Sequence, residues 1–148
     1  MKEEIDKKDK KILEVLEESS NLSTHKMSKK TLIPVTTINN RIRKLKELGV
    51  IKKYTVEIDR KKLGFGLSAY IFIKVSLREL KQEGITIREL INLIKKNPNI
   101  ESVENVTGDV DIILRIHASN INEINDYVIN TISGYKGIDN TKTSLVLE

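Results

Sequence analysis

The sequence predicts an α+β protein in which an N-terminal winged helix-turn-helix precedes a C-terminal ferredoxin-like βαββαβ domain. Apolar side chains recur at helical spacing over the first 50 residues, whereas alternating and β-branched runs follow. The charge changes as well, because residues 1–62 carry 17 basic and 10 acidic side chains and residues 63–148 carry 9 and 11. We therefore expect a basic helix-turn-helix at 1–51, a linking strand and hinge at 52–66, and a mildly acidic second domain at 67–148.

The composition excludes several classes of protein. The 148 residues include no Cys and two His, which excludes a disulfide framework, a thiol nucleophile and the common zinc sites, and we expect no metal or other cofactor. No apolar run approaches the roughly 18 residues of a membrane helix, and the charged N-terminus is unlike a signal peptide, so we expect a cytoplasmic protein that does not bind membranes. Separate domains of roughly 60 to 80 residues bury only about 60% of the surface of their unfolded chains and are marginally stable alone. We therefore expect copies of the chain to associate.

Three helices are predicted in the first half. The first spans Asp6–Glu18 around an apolar stripe, and the second spans Thr24–Lys30. A turn at Thr31–Ile33 leads to a third helix, which Pro34 begins or precedes and which runs to Leu48 before Gly49. Three helices with a tight turn before the last indicate a helix-turn-helix.

The third helix presents an outward strip of polar side chains. At 100° per residue, Ile42 and Leu45 lie within about 40° of the buried Ile38, and the opposite face is suited to base edges in the major groove. The predicted base-reading residues are Thr36, Asn40 and Arg43, flanked by Thr37, Asn39 and Lys44. The predicted phosphate contacts are Lys26, Lys29, Lys30 and Lys44.

A block of positive charge accompanies these helices. Between Thr24 and Lys53 there are nine Lys or Arg and one acidic residue, Glu47. Such a block favours binding to DNA, because lysine and arginine side chains that neutralise phosphates release counterions from the duplex. An all-helical protein-interaction module is the alternative, and it leaves the charge ratio unexplained.

The chain changes to strand chemistry after the third helix. Val50–Ile58 is rich in β-branched residues and alternates in part, which predicts a short linking strand. The following Gly64-Phe65-Gly66 permits a bend, and we interpret it as a hinge between two domains.

The second half has the order β-α-β-β-α-β, which is the ferredoxin-like split. Strands are predicted at Leu67–Leu77, Ile100–Thr107, Val110–His117 and Ile138–Leu147, with helices at Thr86–Lys96 and Asn120–Ile132. The second of these helices is expected to bury Ile121, Ile124 and Val128. Gly108-Asp109 is expected to form a two-residue hairpin of type II′.

One face of this sheet has no predicted cover within the chain. Both helices would pack on the other face, and the bare face carries Tyr70, Phe72 and Ile113. A second copy is the natural cover, so these three residues form the predicted dimer interface. An RNA-binding sheet is the alternative, because aromatic side chains there can stack bases, but the domain is acidic and offers two aromatics.

Three segments resemble the leucine-responsive and asparagine-responsive regulators, the feast/famine family. They are Asp6–Leu13, Thr37–Ile51 and Val106–Asp111, and the combination of Thr-Ile-x-x-Arg-Ile-x-x-Leu-x-x-x-Gly-Val-Ile with Thr-Gly-Asp-x-Asp is specific. The resemblance covers essentially the whole chain. It implies a DNA-binding transcription regulator that dimerises through its C-terminal sheets, often forms octamers and commonly senses amino acids at interfaces between dimers. Residues 67–148 would then be the oligomerisation and effector-binding domain.

Three residues around the helix turn depart from the family pattern. Ser28 stands where Ala is usual, Leu32 where Gly is usual and Pro34 where a capping Ser is usual. Leu32 argues against the usual turn geometry. Pro34 removes the expected cap, although Pro is acceptable at a first helical position, and Thr36 is an alternative cap for a shortened helix.

The resemblance also implies an effector site. Thr107, Gly108, Asp109 and Asp111 match a loop near the family's effector pocket, where the backbone and acids would hold the ammonium group of an amino acid. In one alternative, Gly108 makes only a hairpin and the acids are turn residues. In another, the carboxylates perform acid/base chemistry, for which we find no partner groups nearby.

These observations predict a sequence-specific transcription regulator that is not an enzyme. Its expected partners are double-stranded DNA, further copies of itself in a homodimer or octamer, and an amino-acid effector. Two heads on one duplex would occupy half-sites about 34 Å apart or a multiple of that distance. The alternative function is a ferredoxin-like small-molecule sensor or metabolic enzyme whose helical head is an interaction module.

Overall fold

A computed structural model describes residues 5–147, so the outermost limits of the predicted domains, residues 1–4 and 148, lie outside the described residues. The chain divides between Glu57 and Ile58 into two compact units, which we call the helical unit and the sheet unit. This division falls inside the predicted linking segment 52–66.

The helical unit contains three helices. They are α1 (Lys7–Glu18), α2 (Thr24–Thr31) and α3 (Val35–Glu47). Buried apolar side chains from all three helices and from the turn between α2 and α3 form one core: Ile12, Val15, Met27, Ile33 and Ile38. Each such aliphatic side chain contributes about 1.5–3 kcal/mol relative to exposure, so this packing holds α3 in place.

The turn between α2 and α3 keeps its left-handed geometry although a leucine occupies it. Leu32 has φ 60° and ψ 26°, and its N–H donates to the Ser28 carbonyl at 2.8 Å. The buried Thr31 hydroxyl donates to the Met27 carbonyl at 2.8 Å and accepts from the Ile33 N–H at 3.3 Å. These bonds fix both neighbours of Leu32, so the turn forms despite a cost of about 1–2 kcal/mol for a non-glycine residue.

Helix α3 begins immediately after Pro34. No side chain caps it, so the predicted cap at Thr36 is not formed. The Pro34 carbonyl accepts from the Ile38 N–H at 3.0 Å, and the proline ring already sets the required φ. Gly49 has φ 70° and follows the end of the helix as predicted, but α3 ends at Glu47, one residue before the predicted Leu48.

The predicted linking strand at Val50–Ile58 is wrong, because these residues form no strand. A strand needs a partner for its backbone groups, and the helical unit has no other strand within residues 5–57. Other contacts hold the segment instead. The Lys46 ammonium lies 4.7 Å from the Tyr54 ring centroid, and the Ser20 hydroxyl lies 3.5 Å from the Thr55 carbonyl.

The sheet unit is a four-stranded antiparallel sheet with the order β2-β3-β1-β4. The strands are β1 (Leu67–Val75), β2 (Ile100–Asn105), β3 (Ile112–Ala118) and β4 (Ile138–Leu145). The helices are α4 (Leu77–Glu83), α5 (Ile87–Ile94) and α6 (Ile121–Asn130), with 3₁₀ turns at Lys61–Leu63 and Ile132–Gly134. The predicted ferredoxin-like order is confirmed, with α4 as an additional short helix.

Alternate residues of β1 and β3 form the core with the helices. Ile71 and Leu114 are paired across the two strands and fully buried. Leu90 and Ile94 of α5 and Ile124 of α6 belong to the same buried cluster. Both predicted helices therefore contribute to a single core that contains the inward face of the sheet.

Three expectations about this unit are wrong. Leu77 is not a strand residue but begins α4, because the Ser76 hydroxyl caps that helix by accepting from the Glu79 N–H at 3.3 Å. Ile121, the first residue of α6, is 39% exposed. The β2–β3 connection is not a two-residue hairpin, since the strand pairing stops at Asn105 and Ile112.

Candidate nucleic-acid interface

The outward strip predicted on α3 is exposed as expected from its helical phase. Thr36, Asn39, Asn40 and Arg43 are exposed, whereas Ile38 in the same helix is fully buried. The flanking Thr37 and Lys44 are half-buried. One side of α3 therefore holds the core, and the other presents amide, hydroxyl and guanidinium groups to solvent.

Asn40 and Arg43 contact each other within this strip. An Nη2–H of Arg43 donates to Oδ1 of Asn40 at 3.2 Å, across one turn of helix. The contact orders a long cationic side chain on the exposed side of α3. Two of the three predicted base-reading residues are thus joined, which the sequence did not predict.

Arg41 does not belong to the outward basic surface. Its guanidinium contacts the Asp6 carboxylate at 2.7 Å and the Asp9 carboxylate at 2.9 Å. Asp9 is almost fully buried, so Arg41 joins α3 to the start of α1. The Asp9 N–H, which donates to the Asp6 carboxylate, and the Arg41 guanidinium lower the pKa of Asp6. The helical phase shows only that Arg41 lies about 60° from Ile38 and not on the opposite, outward side, and it does not reveal the two carboxylate partners.

The lysines of α2 divide into two groups. Lys26 and Lys29 are exposed. Lys30 forms an ion pair with Glu18 of α1, so its ammonium is already engaged within the chain. Among the predicted phosphate contacts, Lys26 and Lys29 therefore suit that role better than Lys30.

The predicted dimer face of the sheet is exposed in part. Tyr70 is 38% exposed, and Phe72 and Ile113 are half-buried neighbours across β1 and β3. The rings of Tyr70 and Phe72 lie 6.4 Å apart, and the Arg115 guanidinium lies 5.7 Å from the Tyr70 ring. This side of the sheet therefore presents aromatic and aliphatic side chains together with the cations of Arg115 and Lys142, which are the cross-strand neighbours of Tyr70 and Phe72.

The loop at residues 106–111 is fastened to the end of β1. The Asp111 carboxylate accepts from the Val75 N–H at 2.9 Å and lies 3.3 Å from the Lys74 ammonium. Its pKa is lowered, mainly because the Val75 N–H donates to it and secondly because Lys74 does. Asp111 is therefore occupied within the chain. Thr107, Gly108 and Asp109 are exposed beside it.

No cation site or membrane helix is evident in residues 5–147. No group of three or more His, Cys, Asp or Glu is placed to hold a metal ion. The helices in this range are too short or too polar to cross a bilayer. His117 of β3 contacts a carboxylate: its Nε2 lies 2.7 Å from a carboxylate oxygen of Glu101 on β2.

Two family models match the two units of the chain. A model described as winged helix-turn-helix DNA-binding matches residues 5–52. A second, described as the Lrp/AsnC ligand binding domain, matches residues 68–148, which is more than half of the chain.

Known proteins resemble the chain over nearly its full length. The HTH-type transcriptional regulator FL11 of Pyrococcus horikoshii is 34% identical over 148 residues, covering 100% of this chain and 93% of that protein. The solved LrpC of B. subtilis has a TM-score of 0.81 at 28% identity, covering 98% of this chain and 96% of that one. A transcriptional regulator of Neisseria meningitidis, solved as a complex with L-Met, has a TM-score of 0.86 at 23% identity, covering 98% and 91%, and shows the same fold.

Proposed function

The chain belongs to the Lrp/AsnC family of transcription regulators, which are not enzymes, and we propose that it acts in the cytoplasm as a homodimer that binds promoter DNA sequence-specifically and responds to an amino acid. The observation that carries the DNA-binding part is the exposed strip of α3, with Thr36, Asn40 and Arg43 on the side opposite the core. Hydroxyl, amide and guanidinium groups on the exposed side of such a helix are suited to the base edges of the major groove. Lys26 and Lys29 on α2 would contact phosphates and fix the register.

Titration of labelled promoter fragments tests this proposal. With roughly 6 to 10 phosphate contacts, the affinity should fall about 10³- to 10⁵-fold between 50 and 200 mM salt. Lys26→Ala and Lys29→Ala should each weaken all sequences alike and lower the slope of log affinity against log salt by about one. Lys81→Ala and Lys95→Ala, which change exposed lysines of the sheet unit, are the charge-matched controls. Failure to retard any genomic fragment at low salt would contradict the proposal.

The dimer part rests on the sheet face that carries Tyr70, Phe72 and Ile113. An aromatic and aliphatic sheet face gains free energy when a second copy covers it, at about 25 cal/mol per Å² of apolar area buried. Phe72→Asp should therefore lower the particle mass measured by light scattering. Leu77→Asp is the control, since Leu77 is 64% exposed and begins α4 instead of lying on the sheet. An unchanged mass for Phe72→Asp would refute this use of the face, and the unaltered protein's mass distinguishes a dimer from an octamer.

The effector part rests on the exposed loop at Thr107, Gly108 and Asp109, and on the relative solved with L-Met. Because Asp111 is held by Val75 and Lys74, we assign it to the support of the loop and Asp109 to the ammonium group. Thermal shift with each of the twenty amino acids measures binding. Asp109→Asn should abolish any shift, whereas Asp139→Asn, an exposed aspartate on β4, should retain it. A shift that survives Asp109→Asn would contradict this assignment.

A further inference from the structure

We propose that Asn40 does not read a base on its own but positions Arg43, so that the two side chains together recognise one G·C base pair. The inference rests on the proposed function and names what the exposed strip of α3 recognises. It is carried by the hydrogen bond from Arg43 Nη2–H to Asn40 Oδ1 at 3.2 Å.

Recognition of guanine by this helix depends on Arg43. An arginine fork bonding to the O6 and N7 atoms of guanine is the commonest specific contact in the major groove. Helix α3 contains two arginines, and Arg41 is engaged by the carboxylates of Asp6 and Asp9. Arg43 is the arginine of α3 that is exposed to solvent.

The bond between the two side chains uses the group that Asn40 would need for adenine. Asparagine reads adenine with both ends of its amide, accepting from N6 and donating to N7. Arginine has donors and no acceptor, so the amide oxygen of Asn40 must be the atom that faces Arg43. The remaining N–H groups of Arg43, out of five, are sufficient for the two bonds to guanine.

Ordering of the arginine gives this contact its effect on recognition. An exposed arginine samples many rotamers, and immobilising such a side chain on binding lowers affinity by roughly 2- to 12-fold. Asn40 reduces this loss of affinity, because its hydrogen bond already orders the guanidinium of Arg43, one helical turn further along α3, before DNA binds. Asn40 is thus a positioning residue, and Arg43 is the residue that contacts the base.

The test begins with the full-length protein, which selects bound duplexes from a random library. The affinity is then measured on single-base variants of the selected site. The variants are Arg43→Ala, Asn40→Ala, Asn40→Asp and the double variant Arg43→Ala/Asn40→Ala. Asn21→Ala is the matched control, since Asn21 is also an exposed asparagine of the helical unit but lies outside α3. Circular dichroism verifies that each variant retains its helices.

Arg43→Ala should remove a guanine preference of roughly 5- to 150-fold at one base pair. Asn40→Ala should weaken the preference at that same base pair by roughly 2- to 12-fold, and the double variant should be no worse there than Arg43→Ala. Asn40→Asp still accepts from Arg43 and should keep the guanine preference, although its charge lowers affinity for every sequence. Asn21→Ala should leave the preference at this base pair intact.

Other outcomes overturn the inference. If Asn40→Ala and Asn40→Asp both lose a preference for adenine at a different base pair, Asn40 reads that base directly. An additive double variant, or a site without a guanine that depends on Arg43, also contradicts the positioning role. A protein that selects no sequence at all overturns the proposed function as well, whereas a selected site with the wrong dependence on Asn40 overturns this inference alone.

Discussion

Replacement of Arg41 by alanine should destabilise the helical unit far more than the same replacement of Arg43, two residues away. Arg41 contacts Asp6 at 2.7 Å and Asp9 at 2.9 Å, and the Asp9 side chain is only 1% exposed. Removing Arg41 therefore leaves a buried carboxylate without its cation. Breaking a buried ion pair on one side costs about 3–5 kcal/mol.

Two features of the site reduce this cost. The Arg41 side chain is 25% exposed, so water already screens part of the interaction, and Asp9 keeps its bond from the Asp6 N–H at 3.1 Å. We therefore expect a loss of about 2–3 kcal/mol for Arg41→Ala. Arg43→Ala should change the free energy of unfolding by no more than about 0.5 kcal/mol, because the residue is exposed.

Amide hydrogen exchange read by mass spectrometry is the appropriate assay, because the chain has two units and peptides report on each separately. Peptides of α1 and α3 should lose protection in Arg41→Ala, and β1 and β3 should serve as the internal reference. Adding Asp9→Asn to Arg41→Ala should recover part of the loss, since no buried charge remains. Equal protection in Arg41→Ala and Arg43→Ala would refute the reasoning.

Three further changes test other parts of the structure. Gly137→Ala should destabilise the sheet unit by about 2–4 kcal/mol, because Gly137 has φ 85° and an added Cβ would lie 2.2 Å from Cδ2 of the buried Leu80. An unchanged melting temperature would contradict this contact. Leu32→Gly should stabilise the helical unit by up to about 1 kcal/mol in urea unfolding, since relief of the left-handed conformation exceeds the entropy that glycine loses, and a loss of stability would argue against that conformation. In an NMR titration, Asp111 should show a pKa below its ordinary value of 3.8. The stability that the ionised Asp111 contributes is therefore complete above pH 3.8 and is lost as the pH falls through the lowered pKa. A titration midpoint at or above 3.8 would mean that the Val75 N–H does not hold the carboxylate.

Helices with at least two turns and clear periodicity could be predicted from the sequence. The α3 pattern predicted both the buried Ile38 and the exposed Arg43, because side-chain direction follows from helical phase. Helix α4 was missed, since its 7 residues are too few to establish a period. The strand at Val50–Ile58 was wrong because β-branched residues favour extended backbone but cannot supply a pairing partner.

By itself the sequence determined the three helices of the helical unit, the chain order β-α-β-β-α-β of the sheet unit, the division of charge and the face of α3 that meets solvent, since these depend on composition and on periodicity along the chain. Tertiary structure alone decided which charged side chains remain available. Arg41 is bound to Asp9 across 32 positions, and Asp111 is bound to the Val75 N–H across 36. Local periodicity carries no record of such partners, because they meet only when packing of the core brings distant segments together.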